Sequence, residues 1–492
     1  MKVLFVSPEV VPFAKTGGLA DVSGALPKFL ADLGIEVSVM MPLYRKVRRS
    51  GIELRDTGTE VAVSLNQNIV KGRVLRSTLP GSKVPVYLLE NDRYYDREEL
   101  YGTAKGDFPD NCERFVFFCR GVMEAIKNMP MDLDLIHAND WQTGLLPVYL
   151  KTLYKHHERT GKVAAVFSVH NLAYQGLFWH WDVPLTGLSW DLFNYRELEF
   201  FGKINLLKGG LVFADLISTV SETYAKEIQT PEFGYGLEGV LAWRSKDLYG
   251  IVNGADYSEW NPATDNLIPA RYSPKDLRGK AVCKEALQKA SGLPLRREVP
   301  IIGSIGRLSD QKGLDTLADA MGELMKMDVQ LVILGTGQQK YHDLLENMAE
   351  QHKDKLRANI KFDNQLAHLI EAGSDMFLMP SHYEPCGLNQ MYSMKYGTVP
   401  IVRRTGGLAD SVVAFSPERL STGEATGFLF DKPTAEALLA AIREAVSVYH
   451  DRESWKKLML NGLAQDWSWN RSARKYKELY EKAIQKKQSE PK

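Results

Sequence analysis

Three segments of this 492-residue chain combine cations, glycines and a carboxylate in patterns suited to holding an anionic ligand. The first is Lys15-Thr16-Gly17-Gly18-Leu19, placed between an apolar run and a helical pattern. Its two glycines let backbone approach a ligand closely, and amides at a helix N-terminus together with a lysine form an anion cradle. The same residues also fit an ordinary strand-to-helix turn. The second segment, residues 303–315, sets Arg307 and Lys312 five apart in a glycine-bracketed loop. Two such cations suit a diphosphate carrying about two negative charges, although solvated loop charges are the other reading. The third, residues 375–397, reads as a strand, a turn at Pro380 and Pro385, and a helix opening near Cys386-Gly387-Leu388, whose dipole would favour another anion. Glu384, at the same strand end, could hydrogen-bond sugar hydroxyls or cap that helix. The phosphate motifs GxxxxGK[ST] and GxGxxG are both absent, because Gly335-Thr336-Gly337 lacks the third glycine.

The histidines and cysteines do not suggest a metal. His156 and His157 lie in a polar helix end, and His137 has no second ligand two or four residues on, which favours packing at a strand end. His180 stands alone. Cys112, Cys119, Cys283 and Cys386 form no CxxC pair, which predicts reduced thiols.

The elements that must position these segments alternate between short β-branched runs and amphipathic stretches, the pattern of parallel sheets with crossover helices. The predicted class is α/β. Strands are expected at the runs starting at Lys2, Glu36, Val84, Leu133, Ala164 and Asp215, with helices over 19–34 and 111–129. Residues 252–300 are rich in turn dipeptides such as Asn253-Gly254, which places a domain boundary near Gly254. The alternation then restarts with strands at Pro300, Val329, Asn359, Asp375 and Val399, giving a second doubly wound sheet. The stretches from Thr434 and from Trp469 read as helical. Tandem sheets of this kind usually bind ligands at the carboxyl ends of their strands, where the three segments fall.

Composition excludes several classes. With 61 Lys plus Arg against 61 Asp plus Glu, no global field draws the chain to nucleic acid or an anionic membrane. No apolar run approaches the roughly 20 residues of a membrane span. The opening Met1-Lys2-Val3-Leu4-Phe5 reads as a strand rather than an export leader, so a cytoplasmic location is expected.

Taken together, Lys15-TGGL, His137-ANDW, His170-N, Val252-NG, Gly306-RLSDQKG, Glu384-PCGLNQ and Arg403-RTGGLAD resemble the bacterial glycogen synthases and the similar plant starch synthases. The resemblance runs in order from residue 1 to about Tyr480. It implies the GT-B fold, in which two Rossmann-like doubly wound domains face each other across a deep cleft. On that basis residues 1–253 form an acceptor-side domain to which a helix at 468–485 returns, and 254–467 form a sugar-nucleotide domain. The implied reaction is retaining transfer of glucose from ADP-glucose to the non-reducing end of an α-1,4-glucan such as glycogen. It requires no cofactor, metal, nucleic acid or membrane. A starch synthase, or a glucan-binding protein that kept the fold without catalysis, are the alternatives. A dinucleotide oxidoreductase is disfavoured by the missing GxGxxG, and nothing points to a pyridoxal-dependent phosphorylase.

The resemblance also implies roles residue by residue. Lys15, Gly17 and Gly18 would face the distal phosphate of the donor. Arg307 and Lys312 would neutralise the diphosphate, with amides of Cys386, Gly387 and Leu388 assisting. His170 would lie beneath the donor glucose, and Glu384 would hold sugar hydroxyls. Asp140 and Trp141 would line the active-site floor and acceptor side, Asn253 would contact substrate, and Phe362 would stack on adenine. Two departures stand out. Tyr392 occupies the place of a second glutamate found in many GT-B enzymes but not in glycogen synthases, and Phe362 replaces a common tyrosine.

Overall fold

The computed structural model describes residues 1–103 and 105–490, and it divides the chain into two compact units, Met1–Gly254 with Trp469–Lys492, and Ala255–Ser468. The first unit is built on a nine-stranded sheet. Its strands are β1 (Lys2–Val6), β2 (Glu36–Pro42), β3 (Arg55–Leu65), β4 (Asn68–Thr78), β5 (Pro85–Glu90), β6 (Leu135–Asn139), β7 (Ala164–Val169), β8 (Leu216–Thr219) and β9 (Leu248–Gly250). Their spatial order is β9-β8-β7-β6-β1-β2-β5-β4-β3. From β9 to β5 every pairing is parallel, and the reason is legible in β1, where Val3, Leu4, Phe5 and Val6 are all buried beneath helices on both faces.

The hairpin β3–β4 is absent from the strands expected from sequence. It pairs antiparallel at the sheet edge, and Val61, Val63 and Leu65 face inward while Ala62 and Ser64 face solvent. Asn66 closes it at φ 54°, a conformation asparagine tolerates, so the alternation plus Asn66 is the signal that would have revealed it.

Helix α1 (Gly18–Asp32) follows β1, and α2 (Asn111–Asn128) buries Cys112 and Cys119 on its inner face. Three short strands, Leu177–Trp179, Glu199–Phe200 and Lys203–Asn205, form a small antiparallel sheet beside the main one.

The second unit carries a six-stranded, wholly parallel sheet. The strands are β10 (Ile301–Ile305), β11 (Gln330–Gly335), β12 (Leu356–Ile360), β13 (Met376–Met379), β14 (Val399–Arg403) and β15 (Phe428–Phe430), in the order β12-β11-β10-β13-β14-β15. Two apolar layers sandwich it. One gathers Leu317, Leu324, Leu331, Leu378, Ile401 and Ile442, and the other Leu287, Val332, Ile370, Phe377 and Val402. Helix α3 (Leu314–Leu324) follows β10, and the short α4 (Asn389–Lys395) follows β13.

The helical stretch from Thr434 divides into α5 (Ala435–His450) and α6 (Arg452–Ala464), because Asp451 ends one and caps the next, its carboxylate accepting from the amides of Glu453 and Ser454. The last helix, α7 (Trp469–Ser489), packs in the first unit, where Tyr480 and Tyr476 meet His137 and Lys475 pairs with Glu222. No helix among the described residues is long and apolar enough to cross a membrane.

Candidate active site

In the first unit Lys15, Gly17 and Gly18 follow β1, Asp140 and Trp141 follow β6, His170 follows β7 and Asn253 follows β9. After β1 the chain makes a tight turn in which Val10 and Ala14 exchange backbone hydrogen bonds, and this sets the Lys15 loop against α1. Gly17 and Gly18 have open space where a Cβ would stand, so they leave room rather than supply unusual backbone angles. Lys15 Nζ pairs with Asp21 at 2.7 Å on the first turn of α1. Burial raises the Asp21 carboxyl, and Lys15 acts against that rise.

The amides of Thr16 and Gly17 point inward, to the carboxylate of Glu9, at 2.5 and 3.2 Å. This residue was not among those expected from sequence. No motif marks a glutamate six residues before the loop lysine, and only the fold brings it there.

At the end of β6, Asn139 donates to the carbonyls of Val6 and His137, which fixes its amide orientation. Its Oδ1 therefore faces His170 Nε2 at 3.0 Å, so Nε2 carries the proton and Nδ1 is left as an acceptor. Burial pushes the His170 imidazole down to about 3, and the ring is neutral at physiological pH.

Asp140 adopts φ 56°, a costly angle outside glycine, and its Oδ1 accepts the His170 amide at 2.7 Å. Burial pushes its carboxyl up to about 7, the Glu9 carboxylate adding to the rise while the His170 amide opposes it. Trp141 is wedged against Phe115 and Phe178 at ring-centroid distances of 4.9 and 5.7 Å. Gly176, at φ 63°, lies under its indole, and a Cβ there would come within 2.4 Å. Asn253 is buried, and its Oδ1 finds no hydrogen-bond partner among the described residues. His137, whose carbonyl accepts from Asn139, turns its ring away to packing. Its ring bonds Tyr480 and Ser168 under α7, a packing role.

In the second unit, Arg307 follows β10, and Lys312 closes a 3-10 turn before α3. Gly313 reverses the chain at φ 70° with no room for a side chain, since a Cβ would sit 2.0 Å from the Pro380 carbonyl. That close approach brings Lys312 Nζ to 2.5 Å from Glu384 Oε2, which also accepts from Ser381 Oγ at 3.0 Å. The described partners of the Glu384 carboxylate are thus side chains and not the amides of α4. Glu384 is a buried carboxylate held by one cation and one hydroxyl, its side chain 7% exposed.

Cys386, Gly387 and Leu388 form the turn that precedes α4, with Gly387 at φ 73°. Gln390 clamps this turn by donating to the carbonyls of Cys386 and Gly387. Leu388, the cap position of α4, contributes no side-chain hydrogen bond, and Asn389 ties the helix to the Ile305 carbonyl at the end of β10.

Phe362, just beyond β12, is 84% exposed and free to offer a ring face. Tyr392, the residue at the second-glutamate position, stacks on Trp260 at 4.4 Å, and Trp260 stacks in turn on His368 at 3.9 Å. Tyr392 is thus part of an aromatic layer with Trp260 and His368. Among the described residues no three metal-ligating side chains cluster.

Comparison with known proteins identifies the family. A family model described as "Starch synthase catalytic domain" matches residues 2–243, and one described as "Glycosyl transferases group 1" matches residues 287–458. The chain is 49% identical to the glycogen synthase of Geotalea daltonii over 99% of its own length and 100% of the relative's. It is 47% identical to the glycogen synthase of Thermotoga petrophila, with 99% of each chain covered. Among solved structures, the catalytic domain of starch synthase IV from Arabidopsis thaliana, determined with ADP and acarbose, superposes with a TM-score of 0.90 at 33% identity, covering 98% of this chain and 99% of that one. The two sheets, the paired Lys312 and Glu384 and the full-length matches lead to one conclusion: the chain belongs to the glycogen and starch synthase family of GT-B glucosyltransferases.

Proposed function

We propose that the protein transfers glucose from ADP-glucose to the non-reducing end of an α-1,4-glucan, glycogen in the first instance, with retention of configuration and in the cytoplasm. The observation that carries this reading is the part-buried Lys312–Glu384 pair, its carboxylate 7% exposed, beside the turn that opens α4. A cation and a carboxylate held this way offer one group to a leaving phosphate and one to sugar hydroxyls. The ADP and acarbose bound by the Arabidopsis relative support a nucleotide and a glucan as ligands here.

In this reading the second unit binds the sugar nucleotide. Arg307 and Lys312 neutralise the diphosphate, the turn at Cys386, Gly387 and Leu388 turns amides to it, Glu384 holds glucose hydroxyls, and Phe362 stacks on adenine. The first unit supplies the acceptor side. Lys15 addresses the distal phosphate across the open face of Gly17 and Gly18, neutral His170 accepts a sugar hydroxyl at Nδ1, and Asp140, Trp141 and Asn253 line the floor.

Reaction breaks the bond between glucose C1 and the phosphate oxygen and forms one from C1 to the acceptor's 4-hydroxyl oxygen. On the same face, the departing phosphate takes the hydroxyl proton. The developing negative charge on that oxygen is what the lysines and arginine stabilise, the largest contribution such a site makes. The test is to mix purified protein with glycogen and either ADP-glucose or UDP-glucose and measure nucleotide release. ADP-glucose is expected to be the better donor by kcat/KM. Equal values for the two, or no release, would overturn the reading.

A further inference from the structure

Glu9 is the residue the sequence did not mark, and its surroundings are unusual for a carboxylate. It is 5% exposed and follows β1 in a turn fixed by Ser7, whose hydroxyl donates to the Glu9 carbonyl and accepts the Glu9 amide. Four donors converge on its two oxygens. Oε2 takes the amides of Thr16 and Gly17, and Oε1 takes the Thr16 hydroxyl at 2.5 Å and the Tyr101 hydroxyl at 2.8 Å.

Three of the four donors belong to the Lys15 loop itself. A backbone amide that donates to Glu9 cannot also point outward, so the carboxylate decides which face the loop presents. With Thr16 and Gly17 turned inward, the Lys15 side chain and the open surface over Gly17 and Gly18 are what remain on the other face. Gly17 sits at the cap position of α1 and has no side chain to satisfy the helix start, so the neighbouring carboxylate does the fixing.

We infer that Glu9 is a positioning residue of the transfer reaction, holding the Lys15-Thr16-Gly17-Gly18 loop in the orientation in which Lys15 meets the leaving phosphate. The inference rests on the proposed role of that loop. Glu9 acts through hydrogen bonds rather than charge, which makes a specific forecast. In Glu9→Gln the side-chain oxygen still accepts the two amides, and the new amide donates to the Thr16 and Tyr101 hydroxyls, which can rotate to accept. In Glu9→Ala the loop loses its three contacts and Tyr101 loses the fourth.

The experiment is a set of variants assayed for kcat and for KM of donor and of glucan separately, with melting curves. Glu9→Ala is expected to lower kcat on the order of tenfold to a hundredfold while leaving KM for the glucan unchanged. Glu9→Gln should stay within about threefold of the parent, since its hydrogen bonds persist. In a Lys15→Ala background the Glu9→Ala effect should largely vanish, because two residues acting through one loop are not additive. A Glu9→Gln variant as poor as Glu9→Ala, an undiminished effect on the Lys15→Ala background, or a fully active Glu9→Ala would each overturn the inference. Should Glu9→Ala fail to fold, Thr16→Val removes one loop donor alone. It should lower kcat where Thr16→Ser does not, and a Thr16→Val variant with parental kcat refutes the idea. A silent Lys15→Ala would instead refute the assignment of the loop to the donor phosphate, and the two failures are thereby told apart.

Discussion

Replacing Lys312 by alanine separates what the ion pair does for the fold from what it does for the reaction. At 2.5 Å and an effective dielectric near 20, the gross attraction between Lys312 and Glu384 is about 6–7 kcal/mol, much of it offset by the cost of removing both charges from water. Breaking a fully buried pair costs about 3–5 kcal/mol, chiefly through the charge left behind. Lys312 is 24% exposed and Glu384 7%, so water reaches one partner, and a loss of about 2 kcal/mol is expected. For units of this size that corresponds to a fall of roughly 4–8 °C in Tm.

Activity should fall further. Loss of one preorganised cation at the leaving group is worth about 3 kcal/mol, or on the order of a hundredfold in kcat. The double variant Lys312→Ala/Glu384→Gln removes the stranded charge, so it should regain most of the Tm and none of the kcat. Differential scanning fluorimetry and an ADP-release assay read the two quantities independently. If Lys312→Ala kept kcat within threefold, or if the double variant recovered activity along with stability, the assignment of Lys312 to the leaving group would be wrong.

The remaining expectations concern the other groups. Because the Asp140 carboxyl is raised from 3.8 to about 7, the folded protein holds a proton there that the unfolded chain releases, and this costs stability as pH climbs through that window. Asp140→Asn should therefore gain in Tm relative to the parent between pH 4.5 and pH 7, by an amount equivalent to about 2 kcal/mol once partial solvent access is allowed for, and a difference independent of pH would contradict the shift. His170, neutral throughout that range, is the same in both proteins and drops out. Phe362→Ala should raise KM for the sugar nucleotide about fivefold to a hundredfold, the worth of one stacked base, with Tm unchanged because the ring is 84% exposed. An unaltered KM would remove Phe362 from the donor site. Gly176→Ala forces a Cβ into the Trp141 indole at an unfavourable φ, so Tm should fall by an amount equivalent to about 1–3 kcal/mol, together with a higher KM for glucan and an unchanged KM for donor. A rise in the donor KM alone would contradict the acceptor-side role of Trp141.

What the sequence disclosed depended on how local the signal was. β1 is apolar throughout after Lys2 and β10 opens on Ile301-Ile302, and each is followed by a glycine-containing loop, so they and the segments at Lys15 and Arg307 could be read directly. The β3–β4 hairpin was obscured because Thr57, Thr59 and Glu60 dilute its alternation, and its turn at Asn66-Gln67 lacks glycine. Asp451 carried a cap signal inside an otherwise helical stretch, and it took the structure to show that the helix ends there. For the candidate site, side-chain types and spacing pointed to Glu384 and Lys312 separately, but their pairing depends on Gly313 lying against Pro380, a contact across 67 residues of chain. Glu9 and the neutral state of His170 were illegible for the same reason. One depends on a turn folding back on its own loop, and the other on burial beside Asn139.

The central claim is that this chain elongates an α-glucan from a nucleotide-activated glucose with retention of configuration. The most direct measurement is to incubate the protein with ADP-glucose labelled with carbon-13 in the sugar and a maltooligosaccharide acceptor, then identify the new linkage by nuclear magnetic resonance. The label should appear as an α-1,4-linked residue at the non-reducing end, with ADP released in equal amount. A β linkage, labelled free glucose in place of a longer chain, or label at the reducing end would contradict the account.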